Sequence, residues 1–194
     1  MKDASITSAI AGLKRGGVIA YPTETVFGLG CDPRDANAVR RIFRMKGRDD
    51  RKPVLLVASS IAQVRKVAML TGSALQLAKR YWPGPLTLVL PARPGSGLAK
   101  RIVPAGEVAI RVTSSKTASS IARRFGFPIV STSANRSGEP PCITADEVRA
   151  VFTKRAAPDV VVDGACAGGP PSTLVRVHAD GTIEVLRRGA IVLP

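Results

Sequence analysis

Histidine is nearly absent from this chain: His178 is the only one in 194 residues, and it has no metal or triad partner near it in sequence. It reads as structural, which disfavours serine–histidine and metal-dependent hydrolysis. Cysteine is also scarce. Cys31, Cys142 and Cys166 are odd in number, far apart and without a CxxC pair, so neither a disulfide framework nor a zinc site is expected. Aromatic residues make up 4% of the chain and form no stacking motif, which gives little support to sequence-specific recognition of single strands. No apolar run approaches the roughly 20 residues that cross a bilayer, and residues 1–14 read as an amphipathic helix lacking a signal-peptide core. A cytoplasmic protein with no membrane partner is expected. Neither a GxxxxGK[ST] loop nor a GxGxxG turn after a strand occurs, so the familiar nucleotide fingerprints do not apply.

What is present is a packed globule with a large excess of positive charge. Hydrophobic residues make up 45% and charged residues 22% of a length that suits one domain, 1–194, with no internal repeat or dividing linker. Lys and Arg number 29 against 14 Asp and Glu, a net +15, which favours a polyanionic partner: a nucleotide, RNA or a charged surface. The excess is clustered. Between residues 40 and 52 stand Arg40, Arg41, Arg44, Lys46, Arg48, Arg51 and Lys52 against Asp49 and Asp50.

The apolar pattern alternates helix with strand. Ile6, Ala9, Ile10 and Leu13 recur at helical spacing, Gly16-Gly17 ends that helix, and residues 18–21 form a buried strand closed by Pro22. A second strand is expected over 26–30. Asn37 is the expected cap of a helix that turns Val39, Ile42 and Phe43 inward and leaves Arg40, Arg41 and Arg44 as a solvated face. Further strands are expected over 54–58, 86–90, 108–112, 129–132, 160–162, 174–177 and 182–186, with helices over 61–69, 73–81 and 117–125. Thr144 to Glu147 has the spacing of a capping box, and Asp180-Gly181 that of a type I′ turn. The terminal hairpin makes the sheet of this α/β fold mixed.

Four segments crowd polar residues against strand ends, where open α/β sheets place ligands. The turn Thr23-Glu24-Thr25 could bind a ligand or bond its own backbone. The run 46–52 has the charges and the glycine of a phosphate cradle, and equally the composition of a solvated loop. Arg111 interrupts an apolar strand, so its guanidinium requires an anion, either a protein carboxylate or a ligand. Ser131-Thr132-Ser133-Ala134-Asn135 offers three hydroxyls and an amide suited to phosphate or ribose, or an ordinary polar loop. Such a cationic, hydroxyl-rich set suits phosphoryl or nucleotidyl transfer, where positioning and electrostatics carry most of the catalysis.

In this order the segments resemble the YrdC/TsaC family of threonylcarbamoyl-adenylate synthases. Ala20-Tyr21-Pro22-Thr23-Glu24-Thr25-Val26-Phe27-Gly28-Leu29-Gly30 resembles the opening motif, Lys46-Gly47-Arg48 the KxR element and Ser131 to Asn135 the S-T-S-A-N element. Trp82-Pro83-Gly84-Pro85, the strand around Arg111, Ser137-Gly138 and Pro140-Pro141 extend the likeness to residues 17–188, as in the short bacterial form. The resemblance implies a twisted, mixed, largely open sheet with flanking helices around a concave positive cavity. It implies that Thr25, Arg111, Ser131 and Ser172 hold L-threonine, with Arg111 on its carboxylate. Lys46, Arg48, Lys52, Ser133, Asn135 and Arg187 would contact ATP, accompanied by Mg²⁺, with Lys46, Arg48 and Lys52 serving catalysis and no metal site on the protein. Two positions depart from the pattern: Val57 stands where many long-form members carry histidine, and Asp49 follows Arg48 where proline is usual.

The implied reaction joins L-threonine, bicarbonate and ATP into threonylcarbamoyl-adenylate and pyrophosphate, the first step of t6A formation in tRNA. Separate threonylcarbamoyl-transferase proteins would take up the product, and RNA could meet the basic surface. The alternative is a non-catalytic tRNA- or dsRNA-binding module, which would weaken steeply with salt. A carbamoyl-transfer domain acting on carbamoyl phosphate is a third reading, disfavoured by length.

Overall fold

The structure, a computed structural model, describes residues 2–49, 54–178 and 180–193. Among the described residues six helices, α1 (Lys2–Lys14), α2 (Ala36–Lys46), α3 (Ile61–Val67), α4 (Gly72–Tyr81), α5 (Lys116–Phe125) and α6 (Ala145–Val151), flank a nine-stranded sheet. Its strands are β1 (Ile19–Pro22), β2 (Phe27–Gly30), β3 (Leu55–Ala58), β4 (Leu86–Pro91), β5 (Glu107–Val112), β6 (Ile129–Ser133), β7 (Val160–Val161), β8 (Thr173–Val177) and β9 (Ile183–Arg187). They run in the order β7-β1-β2-β6-β3-β5-β4-β8-β9. Pairs β1/β7, β3/β5 and β4/β8 are parallel and the rest antiparallel, so the sheet is mixed, as the terminal hairpin required.

Strand alternation builds two cores. Ala20, Leu29, Leu56, Ala58, Leu88 and Ile110 face one side and pack under α2, α3 and α4. Ile19, Tyr21, Val57 and Ile129 face the other and pack against Ala9 and Leu13 of α1 and Ala118 and Ile121 of α5. Each large aliphatic or aromatic side chain buried this way is worth about 1.5–3 kcal/mol in area removed from water. The two helices do not extend along the whole second face. Period two places Leu55 beside Val57, Ser131 beside Ile129 and Ala109 beside Arg111, with Leu55 opposite both Ser131 and Ala109. That uncovered stretch is the floor of the site.

Some elements form differently from the pattern expected. Asp35 caps α2, accepting from the backbone N–H groups of Asn37 and Ala38, while Asn37 lies inside the first turn. Asp and Asn compete for such caps, and the carboxylate is also favoured by the helix dipole. The capping box at Thr144 and Glu147 is present, both directions bonded. The loop over 93–106 contains two short 3-10 turns, Lys100–Ile102 and Pro104–Gly106. In the terminal hairpin, His178 N–H donates to Thr182 O at 2.9 Å and Gly181 N–H to His178 O at 3.0 Å, so the connection is longer than the two-residue turn expected. Gly181, at φ 88°, takes the left-handed position such a connection needs.

Candidate active site

The β1–β2 turn uses its first threonine locally. The Thr23 hydroxyl donates to Val26 O at 2.6 Å and accepts from Thr25 N–H at 3.3 Å. That turn closes the hairpin and leaves the Thr25 side chain on the wall of a cavity over the bare sheet face. The polar groups lining this cavity are Thr23, Thr25, Arg48, Arg111, Ser131, Thr132, Ser133, Ser172 and Arg187. Gly28, without a side chain, forms part of its floor between Ser131 and Thr23.

Lys46 ends α2 with 2% of its surface exposed. Its ammonium donates to Ser133 O, to Asn135 O at 2.8 Å and to Asn135 Oδ1 at 2.9 Å, which uses all three of its donors. Ser133 Oγ donates to the same Oδ1 at 2.6 Å, and Ser137 N–H donates to Lys46 O at 2.8 Å. The helix end and the 133–137 loop are therefore stapled together. Burial, and next the charge of Arg48, pull the Lys46 ammonium down to about 8. Gly47, at φ 58°, serves as the left-handed cap of α2: it ends the helix and turns Arg48 into the cavity. Its conformational freedom is spent on that turn. Lys52 lies outside the described residues.

Arg111, 5% exposed on β5, meets the anion its position demanded in Glu24, whose Oε1 accepts from Arg111 Nε at 2.9 Å. Glu24 Oε2 accepts from the Thr113 hydroxyl at 2.6 Å. Both residues lay in plain view in the sequence, Glu24 within its polar turn and Thr113 just past the strand, yet neither type nor spacing links two positions 89 residues apart. On the opposite wall, Arg187 Nη2 donates to Ser172 O at 2.8 Å and to Ser172 Oγ at 3.2 Å. Thr87, fully buried and also missed from sequence, shares a 2.8 Å hydrogen bond with the Ser172 hydroxyl. Partial burial, then Arg111 and Arg48, lower the pKa of Arg187 from its ordinary value. Three guanidiniums from β5, β9 and the end of α2 thus feel one another across one hollow.

The structure brings together Thr25, Arg48, Arg111, Ser131, Ser133, Ser172 and Arg187 on the cavity wall, with Lys46 and Asn135 immediately behind Ser133. Val57 is fully buried in the core under α1 and α5 and offers no polar group to a ligand. A second hollow, lined by Leu77, Tyr81, Ile183, Val185, Ile191 and Leu193 among others, is mostly apolar and has no such convergence.

The family model Sua5_yciO_yrdC, described as "Telomere recombination", matches residues 11–189. The chain belongs to the Sua5/YciO/YrdC family. It is 44% identical over 170 residues to the threonylcarbamoyl-AMP synthase of Thiobacillus denitrificans, covering 84% of this chain and 86% of that one. It is 39% identical over 190 residues to the protein of the same name from Klebsiella pneumoniae, covering 95% and 96%. Among solved structures, P. abyssi Sua5 complexed with L-threonine superposes with a TM-score of 0.86 at 35% identity. The alignment covers 95% of this chain and 54% of that one, so this chain spans about half the length of that Sua5. E. coli YciO superposes with a TM-score of 0.82 at 26% identity, covering 97% and 90%. The Sua5/YciO/YrdC fold accounts for the mixed sheet.

Proposed function

We propose that this Sua5/YciO/YrdC protein is a threonylcarbamoyl-AMP synthase, a nucleotidyltransferase acting on L-threonine, bicarbonate and ATP. The observation that carries the reading is the convergence of Arg48, Arg111 and Arg187 on one hydroxyl-lined cavity. Its curated relatives bear the synthase name, which supports the enzyme and not the RNA-binding module.

In this reading Thr25, Arg111, Ser131 and Ser172 hold threonine, with the free edge of the Arg111 guanidinium on its carboxylate. The amine attacks CO₂ drawn from bicarbonate and loses a proton, giving a carbamate. A carbamate oxygen then attacks the α-phosphorus of ATP, the bond to the β-phosphate oxygen breaks and pyrophosphate leaves. Arg48 and Arg187, with Lys52, offset the charge that builds on the phosphates, and Ser133 and Asn135 bond the nucleotide. Lys46 adds its charge from behind the loop. No protein nucleophile is needed.

Among the described residues no group of three His, Cys, Asp or Glu side chains stands ready for a divalent ion. Mg²⁺ would enter with the substrate on the triphosphate, whose oxygens and water are its usual ligands. We read residues 1–194 as one YrdC-like unit working in the cytoplasm and handing its product to separate transferase proteins that modify tRNA. Direct contact with tRNA would use the basic surface. No helix among the described residues is long and apolar enough to cross a membrane. The test is incubation with ATP and labelled bicarbonate, with and without threonine. A labile adenylate formed only with threonine is expected; no product, or product from carbamoyl phosphate alone, refutes the assignment.

A further inference from the structure

We infer that Glu24 is a positioning residue for amino-acid recognition, acting through Arg111. The inference rests on the proposed function and names how that site fixes its carboxylate-binding group.

Glu24 is the anion next to the guanidinium, yet it does not line the cavity, and neither does Thr113; Arg111 does. The Glu24 carboxylate is held at both oxygens, by Arg111 Nε at 2.9 Å and by the Thr113 hydroxyl at 2.6 Å. Thr113 is itself fixed, since it is 2% exposed and its hydroxyl also accepts from Ser115 N–H at 3.1 Å. The carboxylate is thus a rigid bracket and not a mobile acid.

Among the described residues Glu24 is the sole hydrogen-bond acceptor of Arg111, and it takes the Nε side of the fork. The terminal Nη1 and Nη2 groups remain to present a planar pair of donors, the geometry that matches a carboxylate by two parallel bonds. Without the bracket, the long side chain would be free to rotate away, driven by two further guanidiniums on the same cavity. Glu24 also supplies a local counter-charge to the Arg48, Arg111 and Arg187 cluster. Because Glu24 meets only the back of Arg111, its removal should affect the amino acid and leave the nucleotide largely alone.

The test compares Glu24→Gln, Thr113→Val, Arg111→Ala and the Glu24→Gln/Arg111→Ala double variant with the wild-type chain. Threonine and ATP binding are measured separately by calorimetry, and pyrophosphate release is measured against threonine concentration. Glu24→Gln is expected to raise the threonine Kd and KM about tenfold while kcat and ATP affinity change less than about threefold. Thr113→Val, which loosens one oxygen of the bracket, should give the same pattern at about threefold. In the Arg111→Ala background, Glu24→Gln should add nothing, and Glu24→Asp should recover part of the threonine affinity in the otherwise wild-type chain. Should Glu24→Gln fail to fold, the Thr113→Val comparison alone decides the matter. Unchanged or tighter threonine binding in these variants, or equal losses for threonine and ATP, would overturn the inference. A wild-type chain that binds no threonine would instead overturn the proposed function, so the two failures are distinct.

Discussion

The ammonium of Lys46 donates to both the carbonyl and the side-chain oxygen of Asn135, at 2.8 and 2.9 Å, and so fastens the end of a helix to a loop 89 residues further along the chain. A residue whose type and motif suggest a free cation for phosphates is here a staple as well as a charge.

Replacing Lys46 by Met should therefore act on stability as well as on nucleotide binding. The Ser133 and Asn135 carbonyls would each lose a charged donor, a bond worth about 1.5–3 kcal/mol, although Ser133 O keeps the N–H of Asn135 at 3.1 Å. The pH dependence has a defined sign. Lys46 has an ordinary value of 10.5 and about 8 when folded, so its buried charge weighs against folding in full below about pH 8. That cost fades as the pH rises from 8 towards 10.5, because the unfolded chain there binds the extra proton. Chemical denaturation should show the stability of wild type relative to Lys46→Met increasing over this window and flat below it.

Arg48 and Arg187 should matter to the nucleotide more than to the amino acid. Arg48→Ala is expected to lower kcat/KM about 100-fold or more, the scale for losing one preorganised donor to developing charge. Arg187→Ala should weaken ATP binding about tenfold, the scale for one charge-assisted bond, with loss of order around Ser172 as a secondary effect. Steady-state kinetics with ATP varied at saturating threonine separate these effects; equal damage to threonine binding without ATP would count against the assignment.

Two glycines on β2 should behave in opposite ways. A Cβ at Gly28 would lie 3.1 Å from Ser131 Oγ and 3.4 Å from Thr23 Cγ2, on the cavity floor. Gly28→Ala should reduce threonine affinity while the melting temperature stays within a few degrees, since small side chains can give way. At Gly30 the Cβ would lie 2.7 Å from the Val130 carbonyl and from Tyr21 Cε1, so backbone must move. Gly30→Ala should cost about 1–3 kcal/mol of stability, the usual penalty for overpacking, as read by thermal denaturation.

Much of this fold was legible because its signals are local. The capping box at Thr144 and Glu147, the alternation of Leu56 and Val57, and the apolar stripe of α1 each follow from residues within a few positions of one another. The cap of α2 falls at Asp35, two residues before Asn37, because both are good caps and only the chain path chooses between them. In the site, seven of the residues that the resemblance singled out, Thr25, Arg48, Arg111, Ser131, Ser133, Ser172 and Arg187, line one cavity, with Lys46 and Asn135 behind Ser133 and Lys52 outside the described residues; the need of Arg111 for an anion was clear from its apolar neighbours. Which anion it finds was not legible. Glu24 reaches Arg111 across 87 residues, and the saturation of Lys46 by loop carbonyls depends on a fold-back no sequence period encodes.

The most direct measurement is a crystal structure of the protein soaked or grown with L-threonine and a non-hydrolysable ATP analogue. The amino-acid carboxylate is expected on the Nη groups of Arg111 and the triphosphate between Arg48 and Arg187, both in the one cavity. A nucleotide seated elsewhere, or threonine bound away from Arg111, would contradict this arrangement.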